Sequence, residues 1–515
     1  MESIWSQSVE LEKRASLKAR KSRQNEESKQ NEEFKQNHWE TQRREVQGEQ
    51  KPLSGNQHIR TIVIGAGIAG ILTAYFLKKR GHEVIVVEAR RIASGQTRNT
   101  TAKITSQHGM IYHKLIHKIG REKAKAYAQA NEAAIGMYEQ IIKEENISCH
   151  FEKLPAYLYT VEETGKEKLR KEAFAASSLG LPAYFVEGKK VMELPFTIKG
   201  AVCFENQAQF HPLEFIKQLA KELIIYEDTK VLSVKKHRIL TNRGVLEADN
   251  IVFATHYPFV NVPGFYFLRQ HQERSYVIAL KVQKSLSGMY YSIDEKGLSI
   301  RSFGDTLLLG GGKHRTGKGA VGESAKENVI ENVNENEKRG DCKCIGYSWL
   351  REAARKYYPN AKEAGAWSAQ DCMPHDGIPF IGRYSLFRPY WYVATGFHKW
   401  GMTSAMVAAR LITEQICADN QTPKIAEKLQ ETLFSPRRFY FRAAIKNLLV
   451  DIGESVMGLS KGFFGKKERR CPHMGCRLEW NKEEGSWDCP CHGSRFDHTG
   501  ELMDNPAQVD KKRLL

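Results

Sequence analysis

The sequence predicts an α/β protein with an antiparallel-sheet subdomain and a separate small domain at its C-terminus. Three observations carry this. First, a strand–helix–strand pattern opens the patterned part of the chain: the apolar run Arg60-Thr-Ile-Val-Ile-Gly65, a helical stretch from Ile71 to Lys79, and a second strand Glu83-Val-Ile-Val-Val-Glu88. Second, between Ser275 and Gly312 several short runs rich in Tyr, Val, Ile and Leu read as antiparallel strands. Third, cysteines and histidines crowd the segment from Cys471 to His492 at metal-ligand spacings.

A chain of 515 residues exceeds one hydrophobic core, so two or three domains are expected. The hydrophobic content of 41% and aromatic content of 10% are ordinary for a globular protein. A net charge of +18 suits an acidic partner, anionic lipid or nucleic acid. No basic stripe is interleaved with aromatics, so nucleic acid is not expected, and an acidic redox protein is the favoured partner. The N-terminal region is rich in Glu, Lys, Arg and Gln and lacks the apolar stretch of a secretion signal. No run approaches the ~20 apolar residues of a membrane-spanning helix, and the expected location is the cytoplasm. Cys149, Cys203, Cys342, Cys344, Cys372 and Cys417 are scattered and suggest no disulfide framework.

Residues 1–57 read as a polar extension and 58–435 as the main body. Within the body, helical patterns fall near 121–145, 212–224 and Thr403–Ile416, and strands at Ala156–Thr160, 226–234 and Asn250–Ala254. Residues 317–343, rich in Gly, Glu, Asn and Lys, read as a flexible insertion. A basic, partly amphipathic connector follows at 436–465, with Arg437-Arg-Phe-Tyr-Phe-Arg442 near its start. It reads chiefly as a tether, with membrane-peripheral contact the minor alternative. Residues 466–515 form the metal domain.

Gly65-Ala-Gly67-Ile-Ala-Gly70 follows a strand, opens a helix and has an acidic residue, Glu88, closing the next strand. Gly65 permits the tight turn, Gly67 lets the backbone approach a pyrophosphate, and Gly70 allows close helix–strand packing. The helix N-terminus attracts the phosphates, and Glu88 is placed to accept hydrogen bonds from the ribose. A bare glycine turn is the competing reading. Only one complete fingerprint occurs, which favours one permanently bound dinucleotide, FAD, over a second nicotinamide site.

With that motif, Ala93-Ser-Gly95-Gln-Thr-Arg-Asn-Thr100-Thr101-Ala102-Lys103, Asp376-Gly377-Ile-Pro379-Phe-Ile-Gly382 and Ala394-Thr-Gly396-Phe-His-Lys-Trp-Gly401-Met402-Thr403 resemble the D-amino-acid oxidase and glycine oxidase superfamily. The resemblance implies a split Rossmann-type FAD-binding domain and an antiparallel-sheet substrate subdomain, roughly 146–225 and 260–365, roofing the flavin. It places Thr100, Thr101 and Ala102 beside the isoalloxazine, the helix beginning Gly401, Met402, Thr403 at its pyrimidine edge with Gly396 just before, and Val231 against the adenine. His398, Lys399 and Trp400 are candidate pocket residues, and Arg301 is a candidate clamp for a substrate carboxylate. His211 and His375 read as structural.

Cys471-Pro-His473 and Cys489-Pro-Cys491-His492 each supply one thiolate and one imidazole, the pattern of a Rieske [2Fe–2S] centre. Zinc is the competitor, but a zinc site would not need the extra Cys476 and Cys491. The segment resembles the Rieske proteins of respiratory complexes. That resemblance implies a small all-β domain, a Cys476–Cys491 disulfide joining the cluster loops, and a hydrogen bond from Ser494 to a bridging sulfide. Phe496 stands where that group commonly has Tyr; losing a hydroxyl donor to sulfur implies a lower potential than theirs.

Together the halves resemble bacterial FAD-dependent oxidoreductases with a C-terminal Rieske domain. The resemblance implies oxidation of a small amine or amino acid by hydride transfer to the flavin, then single electrons through the cluster to an external acceptor. An electron-delivery or tailoring reductase or oxygenase, and a redox-responsive binding protein, are the rival readings.

Overall fold

In the computed structural model, apolar runs too hydrophobic to face water on either side pair as a parallel sheet, the arrangement that buries both faces. Arg388–Thr395, Gly244–Phe253, Gln57–Ile64, Val84–Val87 and Ile224–Tyr226 lie side by side in that order. Phe380–Ser385 adds an antiparallel edge, and the hairpin Val231–Lys235, Arg238–Thr241 pairs onto Gly244–Phe253. All four residues of Val84–Val87 are buried. Helices Ile68–Lys79, Arg121–Glu144 and Gly401–Ile416 share one core on this sheet. Described are residues 57–188, 191, 193–318, 346–418, 425–464 and 469–511. The expected N-terminal extension to residue 56, most of the 317–343 insertion with Cys342 and Cys344, and residues 465–468 lie outside them.

A second sheet has nine strands, antiparallel except where Met289–Ser292 pairs with Glu152–Thr160. It takes in Lys103–Ile104 at one edge and runs to Pro374 at the other, beyond the expected subdomain limits. The helix expected over 212–224 stops at Ala220, because Ile224–Tyr226 is claimed as a strand beside Val84–Val87. His211 caps that helix, its Nδ1 accepting the Glu214 N–H at 3.2 Å.

Four short antiparallel strands, Glu479–Asn481, Ser486–Asp488, Arg495–Phe496 and Leu502–Asp504, make the C-terminal sheet. The segment before it is a 24-residue helix, Phe441–Phe464, where the sequence reads as a tether. Its inward side carries Asn447, which donates to His375 O at 2.8 Å, and Asp451, which pairs with Arg315 and lies near His271 and His375. Farther along, Gly458 and Gly462 face the cluster loops. A Cβ on Gly458 would lie 2.5 Å from Cys491 Sγ, and one on Gly462 would lie 2.2 Å from Gly475 O. Only glycine permits that approach.

The C-terminal domain is locked onto the body by buried polar groups. Arg274, fully buried, donates to Ser368 Oγ and Gln370 Oε1, each at 2.6 Å, and pairs with Glu484 across the junction. Gln272 Nε2 donates to His492 O at 2.7 Å, and Gln370 Nε2 to Gly493 O at 2.8 Å. A half-satisfied set would cost several kcal/mol, roughly 3–5 for a buried charge left alone.

Candidate functional site

A cavity of about 570 Å³ runs between the two large sheets. At one end stand Gly65, Gly67, Glu88, Thr229 and Val231. Gly65 has φ +105°, and a Cβ there would sit 2.6 Å from Ala254 O. Gly67 is the N-cap of helix Ile68–Lys79; Thr97 Oγ1 accepts the Ile68 N–H at 3.0 Å, and the first turn carries no acidic residue. Its positive end is therefore open to an anion. Glu88 Oε2 accepts from Ala66 N at 2.8 Å and Oε1 from Arg90 N at 2.9 Å, pinning the carboxylate at the cavity wall. This end fits a dinucleotide.

The other end is lined by Thr100, Thr101, Lys103, Tyr291, His398, Lys399, Trp400, Gly401 and Met402. Trp400 stacks on His108 at 5.1 Å and meets the Tyr291 ring edge-on at 5.3 Å. His108 is bonded to Tyr127, Thr105 and Thr403, so it holds the start of helix Gly401–Ile416. His398 sits at φ +51°; burial lowers its ring to about 4, and its Nε2 has no hydrogen-bond partner among the described residues. His256, also in the wall, likewise has a buried Nε2 without a partner. Such orphaned nitrogens suit a polar ring held in the cavity.

Two expected catalytic residues are placed differently. Arg301 is buried and absent from the wall; its Nη1 donates to Ala102 O at 3.1 Å, so it braces the backbone behind Thr100–Ala102 and is not positioned to clamp a substrate. Lys399 does reach the wall, but Nζ bonds Ser275 Oγ at 2.8 Å and Asp371 Oδ2 at 2.9 Å, with Glu273 at 3.7 Å. Burial alone would lower its pKa; the two carboxylates outweigh that and raise it, so the amine stays protonated and is no base. Gly70, Ala102, Gly396 and Thr403 stand behind the wall as supports: a Cβ on Gly396, for example, would lie 2.4 Å from Pro374 Cγ.

Sequence reasoning missed Lys103 as a chemical group. It lies in the wall, its Nζ donating to Ser299 Oγ at 2.7 Å and Tyr290 O at 2.9 Å. Burial, with the Arg301 cation nearby, lowers its pKa to about 7. Its place directly after the Thr100–Ala102 motif was the available signal.

At the C-terminal sheet the two loops bring Cys471, His473, Cys489 and His492 together. The two histidine rings lie 4.9 Å apart at 88°. Burial lowers them to about 4 and about 3, so both are neutral, and both Nδ1 atoms are buried without a hydrogen-bond partner. Neutral imidazoles with idle nitrogens beside two buried thiols are the donor set a [2Fe–2S] cluster needs. Cys476 and Cys491 are disulfide-bonded, and their sulfurs lie within 4.8 Å of Cys489 Sγ. His473 Nε2 meets Asn261 Oδ1 at 2.9 Å, and Phe267 packs edge-on against both histidines.

The two sites share a wall. Asp504, Asn505 and Ala507 of the C-terminal domain line the cavity. Ala507 N donates to Ser494 Oγ at 3.0 Å, and the Ser494 hydroxyl bonds the Cys471 thiol.

Residues 60–415 match the family model described as FAD dependent oxidoreductase, DAO. The chain belongs to that family. Residues 459–513 of this DAO-family member match the Rieske [2Fe-2S] domain, so its cofactors are FAD and a [2Fe–2S] cluster. YhfW of Bacillus subtilis (strain 168), a Rieske 2Fe-2S iron-sulfur protein by name, is 33% identical over 501 residues, covering 88% of this chain and 92% of YhfW. Among solved structures, L-proline dehydrogenase from P. horikoshii has a TM-score of 0.58 at 16% identity, covering 75% of this chain and 98% of its own. Glycine oxidase from Geobacillus kaustophilus has a TM-score of 0.58 at 15% identity, covering 75% and 100%. These two share its fold.

Phe496 is fully buried in one core with Cys471 and Cys489. Phe496→Tyr is expected to raise the cluster potential by about 40 mV, the one-electron equivalent of a hydrogen bond of about 1 kcal/mol. An EPR-monitored redox titration checks this; an unchanged potential would mean that the hydroxyl reaches no sulfur.

Proposed function

We propose that this DAO-family protein oxidises a small amine or amino acid in the cavity and passes the electrons, through the Rieske cluster, to an external one-electron acceptor. The observation that carries the reading is the shared wall: Ala507 lines the cavity and bonds Ser494, which bonds Cys471. FAD supplies a two-electron oxidant and the cluster a one-electron carrier. In this reading Gly65, Gly67, Glu88 and Val231 hold the dinucleotide, and Cys471, His473, Cys489 and His492 hold the cluster. Trp400 and Tyr291 exclude water from the reacting end. Lys399, tied to Asp371 and Glu273, supplies a fixed positive charge.

Lys103 is assigned the role of taking the proton from the substrate ammonium. Its amine is neutral above about 7, so anaerobic flavin reduction is expected to speed up as pH rises through that value. Lys103→Met is expected to slow reduction by about 10²–10⁴-fold and to flatten the profile. Stopped-flow absorbance across pH checks both; a variant with the wild-type profile would remove Lys103 from the chemistry.

The reading as a whole is tested by anaerobic titration with candidate amines, followed by visible absorbance and EPR. Flavin bleaching followed by a reduced Rieske signal supports it. Reduction of both centres by dithionite but by no amine would favour electron delivery or sensing instead.

A further inference from the structure

Helix Phe441–Phe464 is amphipathic in the unusual sense: its small and polar residues face in and its large apolar residues face out. Asp451, Gly458 and Gly462 are buried against the body and the cluster loops. On the opposite arc Leu449, Val450, Ile452, Val456, Met457 and Leu459 are between 40% and 62% exposed. These positions recur at helical spacing over three turns, so they form one continuous stripe. The helix contains only two acidic residues, and neither is on that arc: Asp451 bonds Arg315 and Glu454 bonds Lys318. Lys446 and Lys461, both exposed, bracket the stripe. Among the described residues no helix is long and apolar enough to cross a membrane.

We infer that this face docks on the surface of an anionic lipid bilayer, with the apolar stripe in the headgroup boundary and the lysines against the lipid charge. Over about 15 Å the six side chains of the stripe present on the order of 550 Å² between them, short of the about 800 Å² that each partner of a stable dimer contributes. Between the two lysines Ser460 is the one exposed residue with a polar side chain, so a protein partner would find almost nothing to hydrogen-bond. An apolar stripe with cationic flanks on a helix lying flat is the pattern that binds bilayer interfaces. The net charge of +18 adds to that attraction. Because the inward face rests on the Cys476–Cys491 disulfide, docking brings the cluster loops to about one helix diameter, roughly 10 Å, from the lipid.

The test uses the full chain with both cofactors bound, in flotation assays with phosphatidylcholine vesicles with and without phosphatidylglycerol. Wild-type protein is expected to float with the anionic vesicles and to be released by high salt. Val456→Glu/Met457→Glu/Leu459→Glu is expected to weaken binding by tenfold or more while flavin and cluster absorbance stay at wild-type levels. Lys446→Glu/Lys461→Glu is expected to remove the preference for phosphatidylglycerol. Failure of wild-type protein to float, or equal flotation of the triple variant, overturns the inference. A wild-type dimer in light scattering that the triple variant converts to monomer also overturns it, assigning the face to a second copy of this chain. Flotation does not depend on turnover, so a failed amine titration leaves this result standing.

Discussion

Gly70→Ala is expected to strip the protein of FAD while leaving its cluster in place. The added Cβ would lie 1.9 Å from Gly65 O and 3.3 Å from Val63 Cγ1. The first of these is backbone, which no rotamer change relieves. Helix Ile68–Lys79 must lift off its strand, and the loop that carries Gly65 and Gly67 loses its shape. Overpacking costs typically 1–3 kcal/mol, and a backbone clash belongs at the upper end. About 3 kcal/mol corresponds to roughly a hundredfold loss in FAD affinity. The control is Gly136→Ala, inside helix Arg121–Glu144, where nothing lies within 4 Å. That change should be neutral or stabilising by up to about 1 kcal/mol. Flavin absorbance after desalting separates the two; Gly70→Ala retaining FAD at wild-type affinity would refute the packing argument.

Cys489→Ser is expected to do the reverse: remove the cluster and keep the flavin. Cys489 is buried beside Cys471, and a neutral hydroxyl is a poor substitute for a thiolate on iron. The loops stay in place because the Cys476–Cys491 disulfide remains, as do the bonds from Gln272 and Gln370 to His492 O and Gly493 O. The variant should lack the Rieske EPR signal yet still bleach with substrate. Its turnover with a one-electron acceptor should fall by more than the roughly 100-fold that loss of outer hydrogen-bond partners can cause. Turnover persisting at the wild-type rate would mean that electrons leave the flavin directly and bypass the cluster.

Much of this was legible in the chain. The Gly65–Gly70 turn and the Cys471–His492 segment are contiguous motifs, and their geometry is set by near neighbours along the backbone. The large sheets were legible as apolar runs, although Ile224 was drawn into the helix over 212–224 because the strand that claims it, Val84–Val87, is far away in sequence. The errors at the site have the same origin. Lys399 is tied up by Ser275 and Asp371, 124 and 28 residues away. Arg301 braces Ala102 across 199 residues. Lys103 has an unusual amine because of burial and Arg301, neither of which its local sequence reveals.

Helix Phe441–Phe464 makes the distinction most plainly. The sequence by itself determined that the segment is amphipathic and basic, and that the chain carries a dinucleotide turn and paired thiolate–imidazole ligands. Only the tertiary structure decided which side of that helix is inside. Gly458 lies against the Cys476–Cys491 disulfide and Gly462 against the Gly475 carbonyl, with room for no side chain at either, which turns Leu449, Val456 and Met457 outward. Periodicity records that a helix has two faces; what covers each of them depends on neighbours that the chain brings together only when it folds.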